Sequence, residues 1–304
     1  MNEVIVPSQV QFNEQDRIKE GTLRFGDMYA GRKVSQFTTP RGGRHYEVDG
    51  YQFDFASVTS ITGVVNKRGI PDWYKKKGIE KAIDIMSKPG AQERLELQAK
   101  GKNDRARKHK NHTWQTQLYD EAKVGPKEAM DFATEFGNDS HQLIEAMALM
   151  DIGRPRLDTP STENQYIPII EGFKAWLRDS NIELVASELM VYHPAYKYAG
   201  TIDLVGIKMS DPLSMVVIDI KTGGVFDEAA MQISAYAEAL DYLTAPEWHV
   251  DDAIVLQLPR ERPTEWDADK LYEIYKVNDI QGYFDAFDTA YKLRGLLEKE
   301  AWSS

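Results

Sequence analysis

Residues 199–223 read AGTIDLVGIKMSDPLSMVVIDIKTG, a stretch in which two aspartates and a lysine interrupt runs of aliphatic residues. The Val, Ile and Leu positions predict two strands, and Ser210, Asp211 and Pro212 supply turn chemistry between them. An ionised carboxylate is costly to bury unless it has a partner. The stretch therefore predicts a hairpin whose charged residues are compensated by something other than aliphatic neighbours.

The register of this hairpin decides which charges meet. A register centred on Asp211 places Asp203 opposite Asp219, and strand alternation puts Lys221 on the same face as Asp219. Two carboxylates repel each other, so a divalent cation between them is the natural compensation. Surface charges closed by a Lys–Asp salt bridge would explain the triplet equally well. The hairpin alone leaves both explanations open.

Two helical patterns place further polar residues near this hairpin in chain order. The segment EFGNDSHQLIEAMAL puts Gly137, His141 and Glu145 on one face of a helix. Gln232 and Tyr236 stand one turn apart on the helix that follows the hairpin. The alternative is that these are ordinary polar residues with hydrogen-bond partners in the fold.

The order of elements predicts an α/β protein with a mixed central β-sheet flanked by helices. We divide the chain into an N-terminal arm (1–43), a hairpin and basic helical region (44–125) and a core (126–304). In the second region, RHYEVDGYQFDF predicts two strands joined by Asp49-Gly50. A helix is expected from about Pro71, and residues 87–112 are expected to be charged and loop-rich.

Charge is distributed unevenly along the chain. The net charge is −11, yet Val65 to Lys110 contains 14 Lys and Arg against 6 Asp and Glu, which leaves −19 elsewhere. Such segregation is typical of a nucleic-acid footprint, although a solvated face and buried tryptophans are the plain alternative. The candidate DNA-binding residues are Trp73, Lys75, Lys76, Lys77, Arg105, Arg107, Lys108 and Trp114.

Composition excludes some classes of site. The chain has no cysteine, which excludes disulfides, thiolate zinc sites and iron–sulfur clusters. The opening residues lack the basic and apolar regions of a signal peptide, and no apolar run reaches the ~20 residues that a membrane helix needs. We therefore expect a cytoplasmic protein, in a bacterial or phage-infected cell, without a membrane partner.

Taken together and in order, these motifs resemble the PD-(D/E)XK nuclease superfamily, and more narrowly its RecB-type nuclease domain. The resemblance is carried by Gly137-x3-His141, GTID ending in Asp203, DIK from Asp219 to Lys221, and Gln232-x3-Tyr236. The segment RHYEVDG…SVTSITGVVNKRGIPDW is more loosely similar to the N-terminal region of phage-type and mitochondrial genome maintenance exonucleases. The resemblance implies a restriction-endonuclease-like core.

The resemblance also implies roles for the motif residues. His141, Asp203 and Asp219 would bind Mg²⁺ or Mn²⁺, with the Ile220 carbonyl completing the shell. Lys221 would be the catalytic lysine, and Glu188 would reach the metal or its water. Gln232 and Tyr236 would position DNA or stabilise the site. A nitrogen ligand favours Mn²⁺ relative to an all-carboxylate site.

Several functions are compatible with these motifs. The first is a metal-dependent exonuclease acting on free DNA ends, preferably single-stranded, in DNA processing, recombination or repair, with a recombination or replication protein as a possible partner. A catalytically inactive DNA-end-binding or assembly subunit is the second. An endonuclease that recognises a sequence or a DNA structure is the third. Asp203, Asp219 and Lys221 are all present, which argues against the inactive subunit.

Overall fold

The computed structural model describes residues 22–23, 34–38, 44–65, 70–105, 113–153, 164–261 and 270–297. The chain folds as two compact units: residues 1–66 together with 137–304 form the first, and residues 67–136 form the second. The strands predicted after residue 43 therefore group with the core unit and not with the basic helices.

The described residues form both strands and helices, as the α/β pattern of the sequence predicted. The strands are β1 (Thr22–Leu23), β2 (Val34–Thr38), β3 (Arg44–Val48), β4 (Phe55–Ser57), β5 (Ile182–His193), β6 (Tyr198–Lys208), β7 (Asp211–Lys221), β8 (His249–Gln257) and β9 (Glu273–Lys276). The helices are α1 (Val58–Thr62), α2 (Ile70–Met86), α3 (Ala91–Arg105), α4 (Trp114–Ala122), α5 (Gly125–Asp151), α6 (Ile167–Asp179), α7 (Asp227–Thr244) and α8 (Ile280–Leu297). None of the helices in the described ranges is long and apolar enough to cross a membrane.

The nine strands of the described ranges belong to one mixed sheet in the first unit. Its path runs β2-β3-β4-β6-β7-β8-β9, and β5 pairs with β6 and β1. The pairs β4–β6 and β7–β8 are parallel and the remaining pairs are antiparallel. Helix α7 connects the parallel strands β7 and β8, as such a crossover requires.

Strand β6 has an edge that is divided between two partners. Antiparallel β5 pairs along almost its whole length, from Tyr198 to Lys208. The opposite edge is therefore shared by β4, which pairs at Tyr198 and Ala199, and by β7, which pairs from Leu204 onward. The residues between these partners, Gly200 to Asp203, lie where β4 and β7 diverge. The divided edge places the GTID motif at a gap in the ladder.

The sheet is buried on both faces. On one face, Val205 and Val217 pack in a core with Tyr236 of α7 and with Phe284 and Phe287 of α8. The alternating residues Leu204 and Ile218 face the other way and are fully buried as well. Helix α6 lies against the residues that follow β8, where a Cβ at Gly172 would meet the Leu258 side chain and the Leu271 carbonyl. The aliphatic runs of β6 and β7 are thus explained by the burial of both faces.

The hairpin predicted around Asp49-Gly50 is present but its connection is longer. The turn forms there, with Gly50 at φ 85°, yet β4 begins only at Phe55. Tyr51 and Phe53 lie outside the ladder and pack against the core, with their rings 5.4 and 5.1 Å from that of Phe55. Aromatic packing therefore outweighs strand pairing over these residues.

The described part of the second unit is helical, and the prediction that residues 87–112 are loop-rich is wrong for residues 91–105. Helix α3 occupies most of that segment because Ala91, Leu95 and Ala99 form a buried stripe along it. Its Arg94 binds Glu121 of α4 through two hydrogen bonds of 3.2 and 3.0 Å. The helix was missed because charged residues dominate the segment and its buried stripe, as described, consists of three apolar side chains.

Candidate metal centre

The β6–β7 hairpin has the register that the sequence predicted. Leu204 pairs with Ile218 and Ile207 with Met215, and one further step along this ladder sets Asp203 opposite Asp219. The turn differs from the prediction: it lies at Met209–Ser210, with β7 beginning at Asp211 and the register shifting between Ile207 and Lys208. The extra residues of β7 absorb the shift near the turn, so the charged end keeps its pairing.

Three side chains from three elements converge beside this end of the hairpin. One ligand atom each of His141 on α5, Glu188 on β5 and Asp203 on β6 lies within 4.8 Å of the others. The His141 Nδ1 atom is 3.5 Å from Asp203 Oδ1. Two carboxylates and an imidazole are suitable ligands for Mg²⁺ or Mn²⁺. The donor set therefore fits the metals that the sequence led us to expect.

Glu188 reaches this cluster through an unusual backbone conformation. Its φ is 51°, in the left-handed region that residues other than glycine seldom adopt. The β5–β6 pairing steps from Ser187–Leu204 to Leu189–Ile202, so Glu188 lies across from Asp203. Local strain of this kind concentrates at functional sites, where the surrounding structure maintains it. Here it accompanies the placement of a second carboxylate beside Asp203.

Asp203 is held by the neighbouring strand. Its Oδ2 accepts a hydrogen bond of 2.7 Å from the Ile220 backbone N–H, and the Ser187 hydroxyl donates to its carbonyl over 3.3 Å. In this way both strands next to β6 orient the residue. The sequence proposed Ile220 through its carbonyl, whereas the observed contact uses its N–H.

Asp219 is turned toward a different set of partners. Its Oδ2 lies 2.6 Å from the Lys221 ammonium, and its Oδ1 accepts a 3.0 Å hydrogen bond from the Gln232 amide. The same amide nitrogen lies 3.3 Å from the Tyr236 hydroxyl. Only 2% of Asp219 is exposed. Gln232 therefore holds Asp219, and Tyr236, one turn away on α7, lies beside the Gln232 amide. The clustered metal-ligand atoms include one from Glu188, where the sequence had predicted one from Asp219.

The charges of the cluster shift one another's pKa values. Burial lowers the pKa of His141, but the charge of Asp203 and a hydrogen bond to it outweigh burial and raise the value to about 9. Burial and the charge of Asp203 raise the pKa of Glu188 to about 8. Burial also opposes ionisation of Asp203, yet the His141 charge and hydrogen bond hold the pKa of that carboxyl below its usual range. At neutral pH, Asp203 is ionised beside a charged imidazole.

The Asp219–Lys221 pair shows the same competition. Burial raises the pKa of Asp219, and the Lys221 charge offsets only part of that increase. Burial lowers the pKa of Lys221, but the charges of Asp219 and Asp203 more than compensate and raise it. The ammonium thus stays charged, which suits electrostatic stabilisation and not proton abstraction.

Two further residues shape this site without having been assigned a role from the sequence, although Gly200 belongs to the quoted GTID motif. Gly200 leaves room for the Tyr236 ring, which a Cβ at that position would contact too closely. The Tyr46 hydroxyl lies 3.3 Å from the Thr201 hydroxyl and links β3 to the GTID segment. Besides the motif, the signal for Gly200 was its place inside a strand, where a glycine often marks a close approach.

The candidate DNA-binding residues belong to the second unit, and Lys75, Lys76 and Lys77 each have a carboxylate partner. Lys75 is 3.2 Å from Asp72, while Lys76 and Lys77 lie 3.9 and 2.8 Å from Glu80. Trp73 and Trp114 are half-buried, so neither is a fully buried core residue. Arg105 ends α3 with an undescribed side chain, and Arg107 and Lys108 lie outside the described residues. DNA contact by this set remains a prediction.

Comparisons with known proteins add no assignment. No family model matches this chain, and no curated protein matches it. Its function has to be argued from the arrangement of its own side chains.

Proposed function

We propose that this protein is a metal-dependent DNA exonuclease of the PD-(D/E)XK superfamily, with a RecB-type, restriction-endonuclease-like core. The observation that carries the proposal is the convergence of His141, Glu188 and Asp203 within 4.8 Å, next to the Asp219–Lys221 pair. A carboxylate–imidazole cluster beside a buried, charged lysine suits the hydrolysis of a phosphodiester. Mg²⁺ or Mn²⁺ held there would neutralise the phosphate and lower the pKa of a bound water.

The side chains divide this work by their contacts. His141, Glu188 and Asp203 would hold the cation, and Asp203 is already oriented by the Ile220 N–H at 2.7 Å. Lys221 carries its charge at Nζ and would stabilise the negative charge that develops on the phosphate. Asp219 keeps Lys221 charged and in position.

Gln232 supports the site indirectly. Its amide binds Asp219 and lies near the Tyr236 hydroxyl, so it fixes the carboxylate that orients Lys221. We therefore assign Gln232 and Tyr236 a positioning role and do not require that they contact DNA.

DNA is the proposed substrate because of the charge distribution along the chain. The positively charged segment from Val65 to Lys110 contrasts with an otherwise acidic protein, and DNA affinity depends on Lys and Arg contacts to phosphates. Preference for a free, single-stranded end follows from the resemblance to end-processing nucleases and from the two tryptophans of this region, since aromatic rings stack on unpaired bases.

The decisive experiment compares four labelled substrates: linear and covalently closed circular DNA, each single- and double-stranded. We expect linear DNA, single strands above all, to be shortened from an end in Mg²⁺ or Mn²⁺, with no cleavage in chelator. Circular DNA should stay intact. Cleavage of circles would favour an endonuclease, and DNA-end binding without metal-dependent cleavage would favour an inactive binding subunit.

A further inference from the structure

A second feature of the first unit is a cavity that begins at the residue after Lys221. Its volume is about 470 Å³, within the range of small-ligand sites. Its walls include Thr222, Gly223, Gln257, Pro259, Arg260 and Tyr272. None of these side chains has a role in the metal centre described above.

The topology of the sheet places the cavity there. Strands β7 and β8 are parallel, with Lys221 paired to Gln257, so the two strands end on the same side of the sheet. The Leu258 N–H donates to the Lys221 carbonyl over 2.8 Å, which joins the first residue after β8 to the last residue of β7. Ligands of open α/β sheets bind outside the carboxyl ends of their strands. The cavity occupies that position beside the proposed catalytic lysine.

Arg260 gives the cavity a fixed cationic wall. Its Nε–H donates to the Thr222 carbonyl over 2.6 Å, and its Nη2 would lie 3.1 Å from a Cβ at Gly223. The guanidinium therefore lies against the Thr222–Gly223 backbone, where glycine leaves room for it. Arginine in a fixed orientation is well suited to bind a phosphate.

Hydrogen bonds also hold the neighbouring wall. The Gln257 amide donates to the Gly223 carbonyl over 2.6 Å, and the Tyr275 hydroxyl lies 3.1 Å from Gln257 Oε1. Tyr272 is half-buried in the cavity lining, with its hydroxyl 3.4 Å from Asp179 Oδ2. That contact anchors the rim of the aromatic ring, and an anchored ring is a surface on which a base can stack.

The charged residues at the cavity balance one another. Lys270 lies 3.5 Å from Glu273, and Glu261 adds a carboxylate to the lining. A long polyanion would meet the carboxylates as well as the cations of this surface and would gain little. A single phosphate can contact Arg260 without approaching the carboxylates. The arrangement thus favours a ligand with one phosphate and one planar group.

We propose that this cavity binds one nucleotide of the DNA strand next to the phosphodiester to be cleaved, with Arg260 on its phosphate and Tyr272 against its base. This assignment rests on the proposed nuclease function. It adds a subsite to the metal centre, and it predicts that the released nucleoside monophosphate competes with DNA.

The test measures binding and cleavage separately. Titration calorimetry with deoxyadenosine monophosphate should show binding to the wild-type protein and binding at least about tenfold weaker in Arg260→Ala and Tyr272→Leu, the scale of one lost stack or phosphate contact. Tyr272→Phe keeps the ring and loses only the 3.4 Å contact to Asp179, so it should bind within about threefold of the wild type. In steady-state cleavage of linear single strands, the first two variants should raise KM by a similar factor and leave kcat within about twofold.

The control and the failures are distinct. Lys292→Ala removes an equal charge from α8, where the lysine pairs with Asp288 and lines no part of the cavity, and it should change nothing. If Arg260→Ala also lowers the melting temperature, the nucleotide affinities of Tyr272→Leu and Tyr272→Phe are compared instead, and weaker binding by Tyr272→Leu alone supports the subsite. Nucleotide binding that is absent, or equal in wild type and both variants, overturns the subsite. A wild-type protein that binds the nucleotide but cleaves no DNA overturns the nuclease proposal and leaves the cavity as a nucleotide site without a role in cleavage.

Discussion

The Nδ1 atom of His141 lies 3.5 Å from Oδ1 of Asp203, a contact that joins helix α5 to strand β6. Each residue shifts the other's pKa, so that a charged imidazole faces an ionised carboxylate. Glu188 completes the group from the strained position on β5. A cation binding here would have to compete with the protons on His141 and Glu188.

Metal binding should therefore release protons. The pKa values of His141 and Glu188, about 9 and about 8, keep both groups protonated at pH 7. Metal affinity should rise with pH between about 6 and 9, by about tenfold per pH unit for each proton released. Calorimetry with Mn²⁺ in buffers of different ionisation enthalpy measures this directly. A pH-independent affinity without proton release would place the metal elsewhere.

Lys221→Ala should abolish cleavage, since losing a charge that stabilises the transition state costs about 10²–10³ in rate. It also leaves Asp219 buried beside Gln232 alone, so the melting temperature should fall. Lys208→Ala is the matched control: Lys208 lies 3.0 Å from Asp252 at the far end of the same hairpin. That variant should keep its activity, measured as nucleotide release from labelled linear DNA. Near-normal turnover by a folded Lys221→Ala protein would refute the assignment.

Gly200→Ala should damage the site from within the sheet. The added methyl group meets the Tyr236 ring and must displace it. We expect a loss of about 1–3 kcal/mol in the free energy of unfolding, the usual cost of overpacking. Activity should fall as well, because Tyr236 moves with Gln232 and hence with Asp219.

A glycine in open surroundings provides the comparison for Gly200. Gly295 on α8 has nothing within 4 Å of an added Cβ, so Gly295→Ala should be neutral or slightly stabilising. Urea unfolding and cleavage assays of both variants measure the difference. Equal effects at the two positions would show that the space around Gly200 is not limiting.

His193 should make the fold sensitive to acid. The residue is 5% exposed, and its ring lies 4.8 Å from that of Tyr196 and 4.6 Å from that of Tyr242. Burial lowers the pKa of His193 to about 4. Because the unfolded chain takes up this proton near pH 6.5, stability should fall as the pH drops from about 6.5 toward 4, by about 2 kcal/mol at pH 5.

The contribution of His193 can be isolated by replacing it. His193→Phe fills the same aromatic site without a titrating group, so its free energy of unfolding should change less between pH 7.5 and 5 than that of the wild type. Urea titrations at both pH values provide the comparison. The same pH dependence in both proteins would mean that other groups account for the acid sensitivity.

Part of this site follows directly from sequence. Strand alternation and a turn near Asp211 were enough to predict that Asp203 faces Asp219, since a side-chain period of two leaves little freedom once one face must be buried. Helical spacing likewise brought Gln232 and Tyr236 together. The prediction of a mixed α/β sheet with flanking helices is confirmed as well, because strands and helices are recognised from local periodicity.

Only the tertiary structure decided which groups share the metal cluster and which wall lies beyond Lys221. Glu188 joins through a single positive φ on β5, and Asp219 turns to Lys221 and Gln232, neither of which a repeating pattern encodes. Arg260 reaches Thr222 because two parallel strands end at the same edge. Periodicity specifies the faces of single elements, whereas contacts between residues distant in the chain depend on how the sheet closes around them.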